Sequence, residues 1–189
     1  MCLPGGAVLV TLGHVDVQRS LNGALAGAVA AGAWAAQQPL DKMVFGSRYD
    51  DVELLGKFVT KGQGWPAIGL ALHLANGAVF GALYAQARPF LPGPPVTRGL
   101  AAAMGENLAS WPLAGVSDRL HPARGELEPL AGNRRAFAQA TWRHALFGAI
   151  LGELERRLNP PDEYEPPEVP VSSNGHGNIE HAAVGAASD

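Results

Sequence analysis

The polar side chains that fall inside the apolar segments of this chain are the ones whose types could carry chemistry. They are His73, Asn76, Glu106, Asn107, Arg143 and His144. Glu106 and Arg143 are the most costly, because a charged group at the centre of a membrane span costs about 2.5–3.5 kcal/mol on insertion scales. Such a group normally faces the bundle interior and finds a partner there. We therefore expect Glu106 to pair with Arg143 or His144, with Asn76 as the third candidate partner.

Glu106 has two interpretations. As a proton or ion site it would make the protein a proton-coupled carrier. As a polar clamp with Arg143 it would fix the register of the helices. In the internal repeat described below, the residues that match Glu106 and Arg143 are Val29 and Leu72, so both charges occur in one half only. A compensating pair has this distribution, and the sequence therefore favours the clamp.

His73 and His144 raise the alternative of a haem-binding redox anchor. Two histidines at equal depth on two helices can ligate haem iron, and nearby glycines would leave room for the ring. Hydrogen bonding of both imidazoles to tryptophan, asparagine or backbone is the simpler interpretation, which we favour. No cysteine-based metal motif, phosphate-binding glycine loop or Ser-His-Asp order stands out. We therefore predict no catalytic residue, no metal and no cofactor, and a non-enzymatic protein.

Four apolar segments must position these side chains. They run over residues 20–40, 65–86, 99–117 and 136–154. Each is close to the ~20 residues that cross a bilayer core, and the first two contain no Asp, Glu, Lys or Arg. The pattern predicts an all-α fold, a four-helix transmembrane bundle within residues 20–158. A cleaved signal peptide in place of the first segment and a soluble alanine-rich bundle are the alternatives.

Small residues recur along these segments at the spacing of one helical turn. The pairs are Gly23 and Gly27, Gly77 and Gly81, and Gly148 and Gly152. Stripes of small residues let helix backbones approach closely in lipid. We expect all of these glycines to lie at helix–helix contacts.

Two spacings occur twice along the chain. His73, Gly77, Gly81 and Leu83 are spaced like His144, Gly148, Gly152 and Leu154. Trp34 precedes Asp41 and Lys42 by the interval that separates Trp111 from Asp118 and Arg119. The agreement predicts a duplicated helical hairpin whose halves share orientation, as in parallel repeats. At a rise of about 1.5 Å per residue, the layer expected near one membrane face contains Trp34, Trp111, His73 and His144.

The remaining segments are polar. In the loop 41–64, Asp50 or Asp51 can cap a short helix that continues VELLGKFVT. Its apolar face suits either the membrane surface or a short solvated helix packed on the bundle. Residues 1–19 form a lead without clear periodicity, which we expect to be disordered. The tail 159–189 is acidic and rich in Pro, Ser and Gly, a composition typical of disorder.

Composition limits the partners of the chain. Charged residues make up 16% of it, against about 25% in soluble proteins. A net charge of -3 argues against nucleic acid, whose binding normally needs a clustered basic face. Cys2 is the only cysteine, which excludes a disulfide within the chain. The expected partners are the lipid bilayer of the cell membrane and, through the glycine stripes, further copies of the chain.

The segments LAAAMGENLASWPL and ATWRHALFGAILGELERRL resemble those of the YagU-like small four-span inner-membrane proteins. The segments LNGALAGAVAAGAWAAQQPLDKMVFG and HLANGAVFGALYA are similar to uncharacterised multi-pass proteins of actinobacteria. The likeness covers roughly residues 20–158 and implies a four-helix integral protein of a bacterial inner membrane. It implies no activity and no site residue. The expected role is therefore that of a helical bundle packed through small residues.

Overall fold

The structure is a computed structural model that describes residues 15–160. Helices make up 79% of these residues and no strand occurs among them, which confirms the predicted all-α class. Most of the predicted disordered lead, up to residue 14, and of the predicted tail, from residue 161, lies outside the described residues.

Six α-helices follow one another in the described part of the chain. They are α1 (Val17–Phe45), α2 (Asp51–Val59), α3 (Trp65–Ala87), α4 (Pro95–Ser110), α5 (Ala114–Leu120) and α6 (Arg134–Leu158). Short 3₁₀ turns occupy Arg88–Phe90 and Trp111–Leu113. The helix α2 forms where a short helix is predicted, with Asp50 as its cap: the Asp50 carboxylate accepts from the Glu53 amide at 3.0 Å.

The first helix is longer than the predicted segment 20–40. It begins at Val17 because the Asp16 carboxylate accepts a hydrogen bond from the Arg19 amide at 2.9 Å and caps the first turn. It ends where Gly46 adopts a φ of 60°, the left-handed conformation that favours glycine. The additional turns carry Asp41 as a helical residue at the inner face of the bundle, where it is buried.

The third predicted segment, 99–117, is divided into two helices. α4 ends at Ser110, and a 3₁₀ turn separates it from α5. Pro112 lies in that turn. Proline lacks an amide hydrogen, and its ring clashes with the carbonyl one turn earlier, so a continuous helix is interrupted there.

The long helices pack as two hairpins. α1 packs against α3 to form what we call the first hairpin, and α4 packs against α6 to form the second. Contacts between α1 and α6 join the hairpins, and α2 packs on α3. Because α3 and α4 barely touch each other, the order across the bundle is α3, α1, α6, α4. One side of the bundle, between α3 and α4, is therefore left open.

Glycines bring the two backbones of the first hairpin into contact. A Cβ added at Gly27 would fall on the carbonyl oxygen of Gly77, and one added at Gly81 would fall on that of Gly23. A Cβ at Gly77 would also meet the methyl group of Ala31. No residue with a side chain fits at these glycines without separating the helices.

The second hairpin is packed in the same way. A Cβ added at Gly99 would fall on the carbonyl oxygen of Gly148, and one added at Gly148 would meet the methyl group of Ala103. A Cβ at Gly152 would fall on the carbonyl oxygen of Pro95. The contacts therefore place Gly99 and Ala103 in the positions that Gly27 and Ala31 have in the first hairpin.

One helix of the described residues is long and apolar enough to cross a membrane. It is the stretch Trp65–Phe90, with a mean hydropathy of 1.5, and only 28% of its apolar window is buried in the bundle. The low burial distinguishes it from the central core helix of a soluble protein. α1 and α6 are of similar length but are diluted by polar residues, including Asp41 and Arg143. The finding gives weak support to membrane association, and the four-span arrangement stays a prediction.

Candidate functional site

A cavity of about 270 Å³ lies among α1, α3, α4 and α6, below α2. The polar residues of its lining are Asp51, His73, Asn76, Glu106, Ser110 and His144. The aromatic residues are Trp34, Tyr49, Phe80 and Phe147. Four of the six polar residues singled out in the sequence thus meet at one cavity.

Trp34 contacts both histidines of the cavity. Its ring lies edge-on to the rings of His73 and His144, with centroid distances of 5.2 and 4.6 Å. Its indole nitrogen donates to Asp51 at 3.0 Å. Trp34, His73 and His144 therefore lie together, as their predicted depths along the helices indicate. Trp111 does not lie with them, because the break at Pro112 directs Trp111 towards Phe137, at 5.1 Å between ring centroids.

His73 is the one cavity residue with a buried polar atom that lacks a partner. Its side chain is 6% exposed, and its Nε2 makes no hydrogen bond to any described residue. A buried polar group without a partner costs about 1–3 kcal/mol. The expected bonds of this imidazole to asparagine or tryptophan do not form at Nε2. The backbone of Ala31 is close to the ring, without the geometry of a full hydrogen bond.

Glu106 is bonded to His144, not to Arg143. Its Oε2 lies 2.7 Å from Nε2 of His144, while Nδ1 of His144 lies 2.7 Å from the carbonyl oxygen of Ala140. Since that carbonyl only accepts, Nδ1 carries a proton. Nε2 then has a lone pair when the ring is neutral, and an ionised carboxylate offers only lone pairs. The contact therefore requires one further proton, held on either His144 or Glu106.

Arg143 points away from the cavity pair because adjacent helical residues project about 100° apart. It is fully buried and binds Asp41 with two nitrogens, at 2.6 and 2.7 Å, and Asp51 with a third at 2.8 Å. The predicted Glu106–Arg143 clamp is therefore wrong. The clamp that forms joins α6 to α1 and α2, and it joins the two hairpins.

Further side chains donate to the two carboxylates, and together with Arg143, Asp41 and Asp51 they form what we call the Arg143 network. Gln139 donates to Asp41 at 2.6 Å, and the hydroxyl of Tyr49 donates to Asp51. Burial, and then the Asp51 carboxylate, raise the pKa of Tyr49 well above its usual value. Tyr49 therefore stays protonated and remains a donor. Every charge in this network has a partner of opposite charge.

The other predicted site residues have simpler surroundings. Asn107 is buried between α4 and α6, where its amide nitrogen lies 3.2 Å from the hydroxyl of Thr141. Asn76 lines the cavity and is exposed. Neither is bonded to Glu106.

A second buried ion pair lies at the opposite end of α6. Glu155 is fully buried and accepts from Arg88 at 2.8 Å. Asn159 donates to the same carboxylate at 3.0 Å. This pair connects the end of α3 with α6 and again joins the two hairpins.

Haem between His73 and His144 stays a prediction. Ligation needs an imidazole nitrogen free to face the iron, and both nitrogens of His144 are engaged, by Ala140 and Glu106, so the bond to Glu106 would first have to break. Within residues 15–160, no three His, Cys, Asp or Glu side chains are placed to hold a metal ion.

Sequence reasoning missed Asp41, Asp51 and Tyr49 as members of the site. Asp41 and Asp51 lie outside the predicted spans and were interpreted as flanking or capping residues. The signal that could have found them is Arg143 itself, since a buried arginine needs carboxylates and Asp41 lies just beyond the first span.

No known protein family, curated protein or solved structure matches this chain. The resemblance to YagU-like proteins stays a prediction.

Proposed function

We propose that the chain is a non-enzymatic, multi-pass membrane protein in which α1, α3, α4 with α5, and α6 cross the bilayer. The supporting observation is that large polar side chains are buried inside the bundle while large apolar side chains lie on its surface. This is the distribution of a protein in lipid and the reverse of that in water. The largest fully buried side chains are Arg143, Leu151, Gln139, Glu155 and Asn107, of which one is apolar.

The outer surface of α1 has the complementary composition. Leu21, Leu25 and Val29 form a stripe along it and are 59%, 56% and 50% exposed. The opposite face carries Gly23 and Gly27 against α3. A soluble helix buries its leucines and exposes its polar groups. In lipid, small residues mediate helix contact and polar groups face the interior.

Fractionation of cells tests this proposal. We expect the protein in the membrane fraction, resistant to alkaline carbonate and released by detergent. Recovery in the soluble fraction would overturn it.

Duplication of one ancestral hairpin accounts for the two sets of glycine contacts. These contacts align the two halves of the chain differently from the alignment that the spacing of Trp34 and Trp111 predicts. When Gly27 is matched to Gly99 and Ala31 to Ala103, the residue that matches Trp34 is Glu106. Each of the two contacts the histidine of its own hairpin, His73 or His144. This alignment replaces the one predicted from sequence spacing, which matched Trp34 to Trp111 and Val29 to Glu106.

A proton-coupled carrier is the second candidate function, favoured by the pair of Glu106 and His144. The pair lines the cavity, the Glu106 side chain is 42% exposed, and the contact exists only while it holds a proton. Loss of that proton places two lone pairs against each other and breaks the bond. A group that binds and releases one proton beside a cavity is what such a carrier requires.

Nuclear magnetic resonance of ¹⁵N-histidine tests the pair without knowledge of the solute. We expect the proton between Nε2 of His144 and Glu106 to give a strongly downfield-shifted Nε2–H resonance in the wild-type protein, and this resonance to move upfield or vanish in Glu106→Gln because the charged acceptor is gone. Glu153→Gln, at the exposed end of α6, is the matched control and should leave the resonance unchanged. An unchanged resonance in Glu106→Gln would exclude the pair as a proton site.

A further inference from the structure

The lining of the cavity selects the charge of its ligand. Its carboxylates are Asp51 and Glu106, the His144 imidazole that can carry a positive charge is bonded to Glu106, and no described lysine or arginine is among the lining residues. Arg143 lies behind Asp51 and is shared with Asp41, so the network carries two carboxylates for one guanidinium. In the part of the chain that the structure describes, an anion would therefore meet carboxylates whose cations are already paired.

The aromatic rings of the cavity are a second feature that favours a cation as the ligand. Trp34, Tyr49, Phe80 and Phe147 line the cavity, and the faces of aromatic rings attract cations, organic ammonium groups in particular. Within the described residues, no three His, Cys, Asp or Glu side chains are placed to hold a small inorganic ion. A carboxylate with several aromatic rings suits an alkylated ammonium group instead.

His73 supplies the third feature and is independent of the acidic residues. His73 lines the cavity, and its buried Nε2 makes no hydrogen bond to any described residue. A ligand that carries a hydroxyl or amide group would satisfy this atom and remove its desolvation cost.

We propose that the cavity binds a small organic ammonium ion that also carries a hydrogen-bonding group. The ammonium group lies beside Glu106, and its polar group meets His73. The inference deepens the proposed carrier function and rests on it. A volume of about 270 Å³ admits an amino alcohol.

Binding would exchange one cation for one proton. Before binding, Glu106 and His144 together hold one proton and are neutral as a pair. The ammonium ion replaces the imidazolium as the partner of Glu106, His144 becomes neutral, and one proton leaves to solvent. Charge is conserved at the site. The other ionisable groups facing the pair are His73 from α3, Asp51 from α2 and Tyr49 before it, with Asp41 and Arg143 paired behind them.

Three probes of nearly equal shape separate the possible ligand charges. They are choline, its uncharged analogue 3,3-dimethylbutan-1-ol and the anion 3,3-dimethylbutanoate. Calorimetry on the full chain in detergent, in two buffers of different ionisation enthalpy, gives the dissociation constant and the number of protons released. We expect choline to bind at least tenfold more tightly than the alcohol, with release of about one proton, and the anion not to bind.

Two variants locate the site. Glu106→Gln should weaken choline binding at least tenfold and abolish proton release, and His73→Phe should weaken choline binding without changing proton release. Glu153→Gln should bind choline as the wild-type protein does. Equal affinity for choline and the alcohol, tighter binding of the anion, or choline binding unaffected by Glu106→Gln would each overturn the proposal. If choline fails to bind while the His144 resonance still responds to Glu106→Gln as described above, the ligand class is wrong and the proton site stands.

Discussion

Replacing Arg143 by methionine should be among the most damaging changes in this protein. Arg143 is fully buried, Asp41 is 2% exposed, and the two share two hydrogen bonds of 2.6 and 2.7 Å. The variant leaves Asp41 buried with no cation and removes one of the donors to Asp51. Breaking a buried pair by removing one partner costs about 3–5 kcal/mol. We expect the free energy of unfolding to fall by that amount.

Asp41→Asn should cost less, because Asp51 still neutralises Arg143 in that variant. We expect about 1–3 kcal/mol, the cost of weakening a charged hydrogen bond. Since the two residues share one interaction, the double variant should lose less than the sum of the single losses, by at least about 1 kcal/mol.

The assay is reversible unfolding in mixed micelles of detergent and dodecyl sulfate, followed by circular dichroism. The exposed pair of Arg156 and Glu153 at the end of α6 gives the control, and Arg156→Met should change stability by less than about 1 kcal/mol. Arg143→Met that unfolds like the parent would refute the description of Arg143 as the clamp between the hairpins. Strict additivity with Asp41→Asn would refute the direct pairing.

Two further predictions concern packing and pH. Leucine at Gly77 or Gly148 should force the paired backbones apart and lower the melting temperature in detergent. Leucine at Gly105, which faces open space, is the control and should leave the melting temperature unchanged. Equal melting temperatures of all three variants would contradict the described packing. The ammonium group of Lys57, 2.9 Å away, holds the pKa of the exposed Glu126 below its ordinary value. Its small stabilisation is therefore present above the unfolded pKa of about 4.3 and is lost as the pH falls through the lower folded pKa. Lys57→Met should flatten the pH dependence of the melting temperature in that acidic range, and an unchanged profile would argue against the pair.

Local patterns in the sequence were sufficient to predict the helices and the helix faces on which the glycines lie. The spacing of Gly77 and Gly81 along one helix requires no knowledge of the partner, because residues one turn apart share a face wherever the helix lies. The same holds for the cap at Asp50. The break at Pro112 could also be located, although its effect on Trp111 could not, since the direction of a side chain after a break depends on the geometry of the turn.

Partners across the bundle could not be predicted. Arg143 and His144 are neighbours on α6, and the sequence offers both to Glu106. The choice depends on the rotation of α6 about its axis, which is set by contacts of Gly148 and Gly152 with α4. Once these glycines face α4, His144 reaches Glu106 and Arg143 is turned towards α1. The alignment of the two halves was predicted incorrectly for a related reason. Trp34 and Trp111 have equivalent positions in sequence spacing but different positions in the packed bundle.

The backbone contacts within each hairpin also determine which parts of the protein can move. Gly27 on Gly77, and Gly99 on Gly148, leave no space for one helix to slide past its partner, so any rearrangement of the bundle must displace each hairpin as a unit. Two links join these units, the Arg143 network and the Arg88–Glu155 ion pair towards the other end of α6. A rocking motion that opened or closed the side between α3 and α4 would therefore act on both links at once.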